Sequence, residues 1–334
     1  MPQLRFADVI GHEEIVSRFQ SALKEDKIVH AYILAGVKGS GKKLIADIFA
    51  TALQCTGEKG DACLECTSCK KAANQNHPDI IRLEHEKPNT ITVDEIREQV
   101  IAQAVLKPYE SKRKVFIIPD AEKMTPQAQN ALLKTIEEPP AYAVFILLAT
   151  QAEALLPTVV SRCVVMEMKP LRDEVIRDFL IREHHLPKYE AEVAAAFAQG
   201  NIGRAQEVAL EGAFSDISER VVQLLRRIRV SSMSELLEFM QEAVAEKHNI
   251  NDYLEILTLW FRDVLMYKAT REIDRMVFKK EIRDIKQQAE RSSYEGLEQI
   301  LQDLERASLR LRSNVSVELT LELLLLSIRE NLNG

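Results

Sequence analysis

Residues 31–46 read AYILAGVKGSGKKLIA: a short apolar run, a glycine-rich turn and the start of a helical pattern. Gly36, Gly41 and Lys42 form the motif G-x-x-x-x-G-K, with Gly39 inside it. Glycines at these points let successive backbone N–H groups curl round an anion at a helix N-terminus, so the motif has meaning only between a strand and a helix. That context is present, and it constrains what surrounds it. Further β-type runs follow at 79–84 (DIIRLE), 114–118 (KVFII), 144–150 (VFILLAT) and 162–168 (RCVVMEM), separated by helix-period segments such as EEIVSRFQSAL and VDEIREQVIAQAV. The alternation predicts an α/β domain over residues 1–168, with a five-stranded, mostly parallel sheet covered by helices on both faces.

After Pro170 the strand signal ends. Residues 169–210 read as three short helices broken at Pro187 and around Gly200 to Gly203, which suits a small helical lid domain. From 211 to 334 the pattern is helical throughout. Leu297, Ile300, Leu301, Leu304 and Leu311 make one apolar stripe and Val317, Leu321, Leu324, Leu325 and Ile328 another. Such stripes are bundle core, within the chain or against similar domains.

Composition narrows the function classes. The longest uninterrupted apolar run, AYAVFILLA at 141–149, is far short of the ~20 residues of a membrane span. The sequence opens without a secretory leader pattern, which places the chain in the cytoplasm. A formal net charge of −7 argues against an affinity built mainly on neutralising nucleic-acid phosphates. Of the five cysteines, Cys55, Cys63, Cys66 and Cys69 are bunched with spacing C-x7-C-x2-C-x2-C, and Cys163 stands alone. Four thiolates so close in a cytosolic chain point to a tetrahedral Zn²⁺ site, and without a nearby His or an open position it reads as structural.

The phosphate loop lacks the partners that hydrolysis needs. A working loop follows its lysine with a hydroxyl that ligates Mg²⁺, but Lys43 stands there and cannot bind a cation. In KVFIIPDAEKM the strand would end on a carboxylate pair; Pro119 takes the first place and Asp120 the second. Both metal contacts are altered in one chain, which favours a phosphate site with little or no turnover.

The order VHAYILAGVKGSGKK, cysteine cluster, HPDIIRLE, KVFIIPDAEKMTPQAQNALLKTIEEPP, FILLAT and LLPTVVSRC resembles the clamp-loader branch of the AAA+ proteins of bacterial DNA polymerase III. The likeness is dense over the first 168 residues and only helical in layout beyond. NALLKTIEEPP occurs in the tau and gamma type as well, whereas eroded metal positions with a retained SRC match the delta-prime type. The resemblance implies an AAA+ fold with lid and collar, a zinc module at 55–69, and a place in a pentameric ring with tau or gamma and delta that puts a sliding clamp on primed DNA. It also implies roles for single residues. Arg162 of SRC would reach a neighbour's ATP as an arginine finger, which suits a planar, permanently charged guanidinium. Thr150 would lie near a γ-phosphate, and Gly203 stands where active members carry an Arg, with Arg204 one place later and rotated by ~100° on a helix. Gly36, Gly39, Gly41, Lys42, Lys43, Asp120 and Thr150 then outline a degenerate nucleotide site.

Blander readings stand beside these. Arg162 also reads as a surface cation or a salt-bridge partner at a strand start, and Thr150 as a strand cap. The histidines, including His77, His184 and His185, have no ligand spacing and read as surface or capping residues. The run SKRK at 111–114 reads as a solvated turn before it reads as a phosphate contact. Two other functions compete: an active ATPase of the tau/gamma type with Asp120 as its acidic residue, and a zinc-containing DNA-binding protein.

Overall fold

A computed structural model describes residues 5–57, 60–210, 212–245, 250–274, 276–313 and 315–333. The chain divides into two compact units, residues 1–175 with 200–203 and residues 176–199 with 204–334.

Five strands form the sheet of the first unit: β1 (Ala31–Ala35), β2 (Ile80–Arg82), β3 (Lys114–Ile118), β4 (Ala143–Ala149) and β5 (Val164–Glu167). Their order is β2-β3-β4-β1-β5, and every pairing is parallel. The phosphate loop therefore leaves the sheet from a strand flanked on both sides. β1, β3 and β4 are buried along their whole length, as strands covered on both faces must be. The period-2 alternation sends Ile33, Phe116, Phe145 and Leu147 to one face and Tyr32, Leu34, Val115 and Ile146 to the other.

Helices α1 (Glu13–Glu25), α2 (Lys42–Gln54) and α3 (Thr67–Ala73) follow in order, then α4 (Val93–Ile96), which runs through a π-helical turn (Arg97–Ile101) into α5 (Ala102–Val105), then α6 (Pro126–Glu137) and α7 (Pro157–Val160). Helix α2 packs on the Tyr32 face, where Phe49 stacks on Phe19 at 4.0 Å; α6 and α7 pack on the Phe145 face through Leu132, Ile136 and Val159. The helical pattern over 93–105 gave no sign of the π turn. Thr92 and Glu95 cap its start reciprocally, with Glu95 Oε2 accepting from the Thr92 N–H at 2.6 Å.

From residue 173 the described chain is helical: α8 (Asp173–His184), α9 (Lys188–Ala198), α10 (Ile202–Leu210), α11 (Gly212–Arg227), α12 (Met233–Ala245), α13 (Ile250–Thr270), α14 (Ile282–Arg291), α15 (Tyr294–Arg312) and α16 (Val317–Asn333). Pro187 caps α9, and Gly200, at φ 84°, lies in the break before α10. Gly203 falls inside α10, so the break expected at 200–203 closes sooner. In the second unit Leu297, Ile300 and Leu304 are buried, as are Leu321, Leu324, Leu325 and Ile328, while Leu301, Leu311 and Val317 are half-buried. Its interior holds Trp260, whose Nε1–H donates to Gln288 at 2.8 Å, and Asp263, which accepts from the Val277 and Phe278 N–H groups at 2.8 Å each.

Candidate functional site

Gly41, at φ 95°, takes the left-handed conformation that turns the chain into α2, and a side chain there would be strained. The Lys42 ammonium folds back on the loop itself, donating to the Gly36 carbonyl and, at 2.9 Å, to that of Val37. Burial pulls its pKa down, against the nearby Glu122 and Asp120. His12 bonds to the Ser40 backbone from the N-cap of α1, and burial lowers its pKa as well.

A second segment closes on the loop from the far end of the unit. Asn201 Nδ2 donates to the Lys38 carbonyl at 2.6 Å and the Gly203 N–H to that of Gly39 at 3.0 Å. A Cβ on Gly203 would stand 2.8 Å from both Cα and O of Gly39. Backbone therefore lies on backbone at Gly203, with no room for a side chain. Arg204 is engaged elsewhere, bonding to Asp252 and lying 3.5 Å from Glu207 and Glu255.

The metal positions have the chemistry their residue types dictate. Lys43 is exposed on the first turn of α2. Pro119 follows β3, and Asp120 sits at φ 47° with its carboxylate 2.8 Å from Lys123 Nζ and 3.9 Å from His85. Glu122 lies closer in, with Oε2 buried and unpartnered among the described residues. Thr150 is exposed just past β4.

Arg162 is in a turn and not on a strand. Its N–H and that of Cys163 close onto the Val159 and Val160 carbonyls, so β5 begins only at Val164. The side chain is 39% exposed: Nε lies 2.7 Å from Glu137 Oε1 and Nη1 donates to the Thr158 carbonyl at 2.9 Å. Both helices that hold it, α6 and α7, pack on the sheet face opposite α2. Glu137 belongs to NALLKTIEEPP, so that motif supplies the carboxylate that pairs with the arginine.

The sulfurs of Cys55, Cys63, Cys66 and Cys69 all lie within 4.8 Å of one another, with Cys63 and Cys69 at 3.9 Å. A tetrahedral site with metal–sulfur bonds of ~2.3 Å needs sulfurs about 3.8 Å apart. Backbone N–H groups point at the sulfurs: Gly57 and Cys63 at Cys55, Cys66 at Cys63 and Cys69 at Cys66, each at 3.4 Å. Burial pushes the Cys66 thiol up, but N–H donors from Thr56 and Cys69 outweigh it and leave it at about 6; burial against the other sulfurs drives Cys69 up. Arg5 ties the loop down by donating to the Ala62 and Cys63 carbonyls at 3.0 and 3.2 Å. This cluster could hold a metal ion. Cys163 is apart from it, half-buried, with a pKa raised by burial to about 12.

Two expectations change. His77 is no surface residue but is buried at 3% exposure in a polar network. The SKRK run is the expected turn before β3 but is not solvated throughout: Arg113 pairs with Asp26 at 2.9 Å, and Lys114 is buried in β3, donating to the Gln103 carbonyl at 2.9 Å.

With this geometry in place, comparison with known proteins is decisive. The family profile for "DNA polymerase III, delta subunit" matches residues 11–172, and that for its C-terminal part matches residues 215–330. The delta' subunit of Bacillus subtilis DNA polymerase III is 30% identical over 95% of this chain and 95% of its own. The chain belongs to the DNA polymerase III delta-prime family. The B. subtilis tau subunit is also 30% identical, over 79% of this chain, which spans half of tau's length. A gamma subunit-related protein of Thermotoga maritima overlays on 96% of the chain at 20% identity and a TM-score of 0.42. The five-stranded parallel sheet and its phosphate loop lie within the residues that the first family profile matches. Among the described residues no helix is long and apolar enough to cross a membrane.

Glu137, Glu122, His12 and Asn201 escaped the reading of the sequence. Glu137 and Glu122 stand inside the motifs NALLKTIEEPP and KVFIIPDAEKM, whereas His12 and Asn201 are brought in from segments remote in the chain.

Proposed function

We propose that this chain is the delta-prime subunit of a bacterial clamp loader, assembling with tau or gamma and delta to place a sliding clamp on primed DNA. It turns over no ATP itself and completes the ATP site of a neighbour with Arg162. The observation that carries this reading is the asymmetry of its two charged devices. Lys42 is spent on its own loop carbonyls, beside metal positions filled by Lys43 and Pro119, whereas Arg162 is aimed by Glu137 at the surface on the opposite face of the sheet. Residues 169–210 would serve as the lid and 211–334 as the collar that joins the ring, in keeping with the C-terminal family match. The four cysteines would hold a structural Zn²⁺, which supplies cross-linking and no reaction chemistry.

Arg162→Ala in a reconstituted clamp loader tests the finger. With assembly intact, hydrolysis at the adjoining site should fall on the order of 10³-fold; unchanged hydrolysis refutes the role. Turnover of ATP by the isolated chain would favour an active ATPase that uses Asp120.

A further inference from the structure

The cysteine cluster lies beside a network that none of the readings above uses. Helix α3 is N-capped by Cys66 and contains Cys69, and two of its other residues reach out of it. Ser68 Oγ is 2.8 Å from His77 Nε2, and Lys71 Nζ is 2.6 Å from Glu110 Oε2. His77 is fully buried, and its Nδ1 accepts from the Asp79 N–H at 3.1 Å. That bond leaves the ring proton on Nε2, facing Ser68, with Glu110 Oε1 at 3.4 Å and Ser111 Oγ at 3.5 Å. Asp79 is buried too. Its carboxylate accepts three successive backbone N–H groups, from Tyr109 at 2.6 Å and from Glu110 and Ser111 at 2.9 Å each. On the other side Gln54, next to Cys55, is buried and donates to the Asp79 and Arg113 carbonyls at 3.2 and 3.0 Å.

Residues beside two of the four cysteines, Cys55 and Cys69, thus converge on one segment, 109–113, more than thirty positions further along the chain. This segment follows α5 and would otherwise be a short surface connection free to sample many conformers. A carboxylate gripping three adjacent amides fixes its backbone, and the contacts from α3 fix Glu110. The same connection, 106–113, carries Leu106 and Tyr109, which are 56% and 86% exposed, and follows Val105, 74% exposed at the end of α5.

We propose that the cysteine cluster acts as a strut for the connection 106–113: by fixing α3 and Gln54 it holds this connection, with the exposed Leu106 and Tyr109, in a single conformation. The inference rests on the reading of the cysteines as a metal centre. Its route through Ser68 and Lys71, however, can be judged separately.

The experiment is hydrogen exchange on the full-length chain in three forms: as purified, stripped by a chelator, and as the double variant Ser68→Ala/Lys71→Ala with all cysteines kept. Metal analysis accompanies each form. In both altered forms, exchange at Tyr109, Glu110 and Ser111 should rise about tenfold, with strand 143–149 unchanged. The double variant should keep its metal. If stripping loosens only residues 55–69, the strut is refuted. If the double variant leaves 109–111 protected, the route is refuted even if stripping loosens the loop. A purified chain without metal would sink the metal-centre reading, while the double variant would still decide whether α3 holds the loop.

Discussion

Substituting Gly203 by alanine sets two physical effects against each other with opposite signs. Gly203 is the second residue of α10, where alanine should stabilise by up to ~1 kcal/mol on helix propensity. The same methyl group would stand 2.8 Å from Gly39 Cα and O, a distance that real Cβ atoms do not reach, and both neighbours are backbone. Forcing them apart also stretches the 3.0 Å bond from the Gly203 N–H to the Gly39 carbonyl. Overpacking against unyielding atoms costs ~1–3 kcal/mol. The clash should win, with a net loss of about 1–2 kcal/mol, or roughly 2–8 °C in the melting temperature of a unit of this size. Circular dichroism follows the melting of the whole chain, whereas the fluorescence of the single tryptophan, Trp260, reports the second unit. Gly203→Ala should lower the transition seen by the first and spare that seen by the second. Gly203→Arg, which restores the side chain of active relatives, meets the same wall at Cβ and should not confer ATP binding. An alanine variant that melts higher than the parent would show that propensity governs the position and that the contact with the phosphate loop is loose.

Asp263→Ala would leave the Val277 and Phe278 N–H groups buried without an acceptor, at ~1–3 kcal/mol each; a loss of about 2–5 kcal/mol by urea titration of Trp260 fluorescence is expected. Acid should weaken the first unit through His77. Burial holds its pKa below the usual 6.5 despite Glu110 and Asp79, with Lys71 adding to the depression. The unfolded chain therefore takes up a proton first, and stability falls as pH drops below about 6.5 until the folded-state pKa is passed, by at most ~1.4 kcal/mol per pH unit. Melting temperatures between pH 7.5 and 5.5 should show a shallower slope for His77→Gln; an unchanged slope would absolve this residue.

The sequence by itself determined the α/β unit and its sheet, because period-2 apolar runs, a glycine loop and helix-period segments are local patterns written in consecutive residues. Strand ends were off by one or two positions where a turn intervened, as at Arg162, whose N–H closes on Val159 and delays β5. The cysteine spacing and the substitutions at Lys43, Pro119 and Gly203 were legible for the same reason, each being a departure inside a short motif. Tertiary structure alone decided what these residues face. Nothing near Lys42 in the chain announces that its charge is turned on its own loop, and nothing near Gly203 announces that it lies on Gly39, 164 positions before it. Glu137 pairs with Arg162 from α6, and Asp79 grips amides thirty residues away. Contacts of this kind arise from how parallel strands bring distant loops to the same edge of a sheet, and they carry no periodicity that a local pattern could reveal.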